Sequence, residues 1–130
     1  MFSLNDKIAV VTGGAGHLGS AMTEGLAECG AKVFALSRGT RHMEKIKQWN
    51  TDYPNQIRFV KCDVSSKKSI EIAYKEIFDS HGKIDVLVNN AYFGANGRLE
   101  DISEENWMEG IEGSINTVYR CTQAIIPYMK

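Results

Sequence analysis

The apolar residues of this 130-residue chain switch repeatedly between two periods. Lys7–Thr12 holds the continuous run Ile8-Ala9-Val10-Val11, the pattern of a strand buried on both faces. From Leu18 to Cys29 the apolar residues recur at helical spacing (Leu18, Met22, Leu26, Cys29), and Gly30 ends the segment. Lys32–Leu36 predicts a second strand, and Met43–Trp49 a second helix stopped by Asn50 and Pro54. Ile57–Lys61 predicts a third strand. Ser69–Phe78 predicts a helix with Ile70, Ala73, Tyr74, Ile77 and Phe78 on its apolar side and Gly82 at its close. Asp85–Val88 predicts a fourth strand. After a loop with Gly94 and Gly97, Glu104 to about Met129 predicts one long helix with Ile111, Ile115, Val118, Thr122, Ile125 and Ile126 on one face. Strands alternating with helices imply crossover connections and an α/β fold, a doubly wound parallel sheet covered on both faces.

The first crossover turn stands out chemically. Thr12-Gly13-Gly14-Ala15-Gly16-His17-Leu18-Gly19 links the first strand to the first helix. Gly14, Gly16 and Gly19 fit the spacing G-x-G-x-x-G, a turn that brings backbone amides and a helix N-terminus up to a pyrophosphate. Four glycines in seven residues carry an entropic cost that a mere connection does not require. In a doubly wound sheet ligands sit at the carboxyl ends of the strands. Three further stretches occupy such ends: Ser37-Arg38, Asp63-Val64 and Asn89-Asn90-Ala91-Tyr92. All four are expected at one crevice.

Composition narrows the picture. The length suits one domain with one core, and a formal net charge of -1 gives no basic field to draw nucleic acid or anionic lipid. Cys29, Cys62 and Cys121 form no C-x-x-C pair and read as reduced packing residues of a cytoplasmic protein, with no metal site among them. The residues before the first strand lack the apolar core of a leader, so the beginning of the chain reads as complete, and no apolar run reaches membrane-spanning length.

With these residues in place, the chain resembles the short-chain dehydrogenase/reductase family over essentially its whole length. The resemblance rests on the Thr12–Gly19 turn, Cys62-Asp63-Val64, Asp85-Val86-Leu87-Val88-Asn89-Asn90-Ala91 and the helix ending Cys121-Thr122-Gln123-Ala124-Ile125-Ile126-Pro127-Tyr128-Met129. It implies a Rossmann-like sheet in the order 3-2-1-4, truncated after the fourth strand and fourth helix. It also implies a parent reaction of hydride transfer between NADP(H) or NAD(H) and a carbonyl or alcohol. Backbone at Gly13, Gly16, His17, Leu18 and Gly19 is implied to line pyrophosphate and ribose. Asp63 and Val64 are implied at adenine, and Asn90 at the adenine-side ribose and between the central strands. The purely structural alternative for Asp63 is a turn residue capping the next helix. Ser37 and Arg38 stand where an acid would hold the 2′-hydroxyl of NAD, so a 2′-phosphate and NADP are favoured.

Four departures from the family pattern matter. His17 stands in place of a glycine, giving the spacing Thr12-Gly13-x-x-Gly16-x-x-Gly19 of the extended branch, and a sugar-nucleotide epimerase or dehydratase is therefore the alternative reading. Tyr92 replaces the glycine after Asn-Asn-Ala and, with Phe93, adds aromatic bulk by the nicotinamide end. Ser114 falls at the position of an active-site asparagine, while Asn116 lies on the opposite side of the helix. None of the five tyrosines has a lysine four residues on, so the proton-exchanging Tyr-x-x-x-Lys pair is missing. The expectation is an N-terminal, cofactor-binding half that holds a dinucleotide and is not catalytic by itself. Its small-molecule substrate is undefined. Its fourth strand and last helix are expected to expose apolar surface, suited to a homo-oligomer or to association with the missing half.

Overall fold

The computed structural model describes residues 2–39 and 41–130. Four parallel strands form one sheet: β1 (Ile8–Thr12), β2 (Lys32–Ser37), β3 (Ile57–Lys61) and β4 (Val86–Val88), in spatial order β3-β2-β1-β4. The helices are α1 (His17–Glu28), α2 (Met43–Asp52), α3 (Lys67–His81), α4 (Glu104–Ile111) and α5 (Thr117–Met129). A π turn, Glu112–Asn116, joins α4 to α5. The predicted doubly wound order is the order found.

Alternation along the strands sorts the core into two layers. Ile8, Val10, Phe34 and Leu36 face α3 and α5, where Ile70, Tyr74, Ile77, Cys121 and Ile125 are buried. Ala9, Val11, Val33 and Ala35 face the other way, with Ala27 of α1 and Trp49 of α2. Trp49 is closed in by a bond from its indole N–H to Glu24 on α1 (2.8 Å), which also pairs with Lys45 (2.9 Å). Strands β1 and β2 are buried at their centres, while β3 buries only Ile57 and Val60. The three residues of β4, an edge strand paired only through Ala9–Val11, are half-buried.

Two expected helix faces are corrected. On α1 the residues against the sheet are Gly19, Thr23 and Ala27, while Leu18 is 65% exposed and Met22 40%. This helix lies close to the sheet, and only small side chains fit beneath it. On the last helix Ile125 alone of the six expected face residues is fully buried; Ile115, Val118 and Ile126 are exposed. The π turn interrupts the helical period, and the inward residues are Gly113, Thr117, Cys121 and Ile125, four apart. Gly113 lies so close to the backbone of Phe93 that a Cβ would overlap the Phe93 carbonyl. The helix expected as one regular element is thus interrupted where the loop after β4 rests on it. Helix α2 also runs three residues past the predicted end, to Asp52.

Candidate functional site

The turn after β1 is built around backbone donors. Gly13 has φ +63°, in the left-handed region that favours glycine. The Gly16 amide donates to the Gly13 carbonyl (3.1 Å), and Gly16 then opens α1. No side chain caps this helix, and no acidic residue lies in its first turn. Its leading N–H groups therefore keep their need for an acceptor, at the positive end of the helix dipole. A Cβ added to Gly16 would meet only the Gly13 oxygen, at 3.3 Å, so the space over the turn is open. At Gly19 a Cβ would overlap the Gly13 carbonyl and approach Asn90 Nδ2 to 2.7 Å. The G-x-G-x-x-G reading is refined accordingly. Gly14 backs onto Ala35, where an added Cβ would come to 2.8 Å from the Ala35 Cα, and Gly19 supports the turn from below, while Gly13 and Gly16 face the opening.

That opening is a cavity of about 870 Å³ at the carboxyl ends of all four strands. Gly13, Gly16, His17 and Leu18 line it from the turn, and Ser37 and Arg38 from the end of β2. Asp63 and Val64 follow β3, and Asn90 follows β4. The four stretches singled out along the chain do converge; Gly19 alone of the crevice residues lies beneath it. The sequence reading passed over Arg41 and His42, which also line the cavity. Their signal was a density of basic residues just after β2, in a segment whose lack of periodicity gave no reason to turn it inward.

Charge in the crevice is mostly positive, with one carboxylate. Asp63 Oδ1 accepts from the Ser65 hydroxyl (2.6 Å) and the Ser65 amide (3.0 Å). The hydroxyl first, then the amide and the positive charges of Arg38 and Arg120, hold this carboxyl below its ordinary range against the opposing effect of burial. The cap of α3 is Ser66, whose hydroxyl accepts from the Ser69 amide (3.2 Å). Asp63 therefore shapes its own turn without capping the helix. Cys62 lines the cavity as well, but burial pushes its thiol up to about 11, and it acts as packing rather than as a nucleophile.

At the β4 end the sheet comes apart. Asn90 Nδ2 donates to the carbonyls of Thr12 and Gly13, both at 3.1 Å, tying the chain leaving β4 to the end of β1. The Thr12 hydroxyl accepts from the amides of Asn90 (3.1 Å) and Ala91 (3.0 Å) and donates to the Val88 carbonyl (3.4 Å). Tyr92 and Phe93 close this side. Ser114 lies behind them, lining a smaller cavity of about 330 Å³ that Tyr92 shares, and its hydroxyl donates to the Gly110 carbonyl (2.6 Å). Asn116 is turned away and donates to Glu112 (2.7 Å). Among the described residues no cluster of His, Cys, Asp and Glu is placed to hold a metal ion, and no helix is long and apolar enough to cross a membrane.

A four-stranded 3-2-1-4 sheet with an uncapped glycine turn over its crevice defines a Rossmann-like nucleotide-binding architecture. The family model for short chain dehydrogenase matches residues 7–130, and the chain belongs to that family. It is 30% identical, over its full length, to a 3beta-hydroxysteroid dehydrogenase of Mediterraneibacter gnavus, covering 48% of that protein. It is 34% identical to the 3-oxoacyl-[acyl-carrier-protein] reductase FabG of Vibrio cholerae, over 95% of this chain and 50% of that one. The solved RhlG/NADP active-site complex of Pseudomonas aeruginosa superposes with a TM-score of 0.85 at 26% identity, over 98% of this chain and 49% of the other. The chain thus spans about half the length of the curated relatives it matches.

Proposed function

We propose that this chain is the dinucleotide-holding half of a short-chain dehydrogenase, with a preference for NADP(H), and that these 130 residues bind the cofactor without turning over substrate. The observation that carries the reading is the uncapped start of α1 above Gly13 and Gly16, opening into a cavity that Arg38, Arg41 and His42 also line. Amides and helix dipole suit a pyrophosphate, and planar guanidinium groups suit a 2′-phosphate. Asp63 is suited to accept from the adenine amino group, with Val64 against the ring and Asn90 near the ribose. A bound nicotinamide would supply or accept the hydride; the residues of this chain bind, orient and exclude water. The absence of a Tyr-x-x-x-Lys pair from these residues supports a purely binding role.

Calorimetry with NADPH and NADH tests the cofactor reading. NADPH should bind at least about tenfold tighter, and Arg38→Ala should weaken NADPH roughly tenfold while leaving NADH unchanged. Equal affinities would overturn the preference. NADPH oxidation with a panel of ketones that survives purification would overturn the non-catalytic assignment. The spacing Gly13-x-x-Gly16-x-x-Gly19 keeps a second reading, part of a sugar-nucleotide epimerase or dehydratase. That reading predicts dinucleotide retained through purification and no net NADPH consumption. The apolar residues exposed on α4, the π turn and α5, among them Trp107, Ile115 and Tyr119, suit a second subunit or the rest of a longer chain. Light scattering at micromolar concentration should find a species larger than the monomer.

A further inference from the structure

The Cys62–Ser66 loop brings Asp63 and Val64 to the crevice, and it is held from two directions. From α3, the Ser69 hydroxyl accepts the Asp63 amide (2.9 Å), and within the loop the Ser66 amide donates to the Asp63 carbonyl (3.0 Å). From the neighbouring helix α5 comes Arg120, 56 positions along from Val64. Its Nη1 donates to the Val64 carbonyl (3.1 Å), and its Nη2 pairs with Glu112 Oε1. Glu112 opens the π turn, and its second carboxylate oxygen accepts from Asn116 Nδ2 (2.7 Å). Its backbone carbonyl accepts the Thr117 hydroxyl (3.1 Å).

Arg120 does not line the crevice. A cation that only solvates a helix face stands in water, yet this side chain is 16% exposed and divided between a carboxylate and a backbone carbonyl. A planar guanidinium can span two acceptors in a fixed direction, which an ammonium does less well. We infer that Arg120 is a positioning residue for the adenine half of the ligand. It holds the Val64 backbone, and through it the Asp63 carboxylate, in binding geometry, and it fastens that wall to the π turn. The inference rests on the crevice being a dinucleotide site. The charges that bear on Asp63 are Arg38, from the end of β2, and Arg120 itself.

The test compares the 130-residue protein with Arg120→Met and Arg120→Lys. NADPH is titrated by calorimetry at neutral pH, and adenosine 2′,5′-bisphosphate from neutral pH down to about pH 2.5, below the lowered range of Asp63. Amide exchange of residues 63–66 is followed without ligand. Arg120→Met should weaken both ligands by the same factor, about tenfold, and move the acid limb of affinity to higher pH, because Asp63 loses a nearby cation. Exchange at residues 64–66 should accelerate. Arg120→Lys should restore the acid limb more fully than the exchange protection. A folded Arg120→Met with unchanged bisphosphate affinity overturns the inference, as does weakening without movement of the acid limb. If Arg120→Met does not fold, Glu112→Gln decides, with a smaller effect expected in the same direction and no effect overturning the inference. If the wild type binds neither ligand, the crevice reading fails. The exchange comparison still decides this one, and equal exchange overturns it.

Discussion

The two ends of the crevice are built differently. At the β1–β3 end the chain relies largely on backbone: a left-handed glycine and an uncapped helix seated on the buried strands β1 and β2, and a tight Asp63 turn after β3. At the β4 end it relies on side chains and close contacts. Three half-buried residues form the strand, Thr12 and Asn90 hold its continuation, and the Phe93 backbone presses on Gly113 in a π turn. The first end can offer a ligand a shape fixed before it arrives. The second depends on a long helix whose outer face is exposed. The contrast teaches that one crevice can be walled by parts held in different ways, and it can be broken by substitution.

The sharpest test pairs two glycines. Gly19→Ala and Gly113→Ala each push a methyl into a backbone carbonyl, and each should cost about 3 kcal/mol in urea unfolding. Their effects on ligand should diverge. Gly19→Ala should abolish NADPH binding, whereas Gly113→Ala should leave adenosine 2′,5′-bisphosphate affinity within about threefold of wild type. Equal loss in both would mean that the two ends form one unit. Next in size is Asn90→Ala, which strips the donor from the Thr12 and Gly13 carbonyls where the ends meet. It should cost about 1–3 kcal/mol, read from the denaturant midpoint. A midpoint unmoved by this change would show that the ends are not joined there.

The smallest effect belongs to Asp63. Its folded carboxyl lies below the ordinary range, so its contribution to stability is present above the unfolded value, about 3.9, and fades as pH falls through the lowered one. The difference in melting temperature between wild type and Asp63→Asn should therefore shrink as the solution is acidified from about pH 5. A difference independent of pH would remove the carboxylate from the account.

Much of the first end was legible in the sequence, because its signals are local. Apolar runs, a glycine cluster and residues at strand ends predict the strands, the alternating fold and the crevice without knowledge of distant contacts, while the strand order came from the family resemblance. The faces of α1 and of the last helix were misread for a common reason. Large apolar residues mark the buried side only when the helix stands far enough from the sheet to admit them. On α1 the close approach selects Gly19, Thr23 and Ala27. On the last helix the period is broken by a π turn whose cause, the Phe93 backbone at Gly113, lies twenty residues away in sequence. Arg41 and His42 were missed because an irregular segment has no period to show which way it points.

Beyond the Val11–Val88 step, β1 and the chain leaving β4 are no longer joined backbone to backbone; the Thr12 oxygen stands between them. The mouth of the crevice is consequently gauged by the reach of the Thr12 hydroxyl, with the Asn90 amide group beside it. A valine there keeps the bulk but strands two amides without an acceptor, and a serine keeps the reach. The width available to a ligand between these chain ends is thus set by an atom that the ligand need never touch.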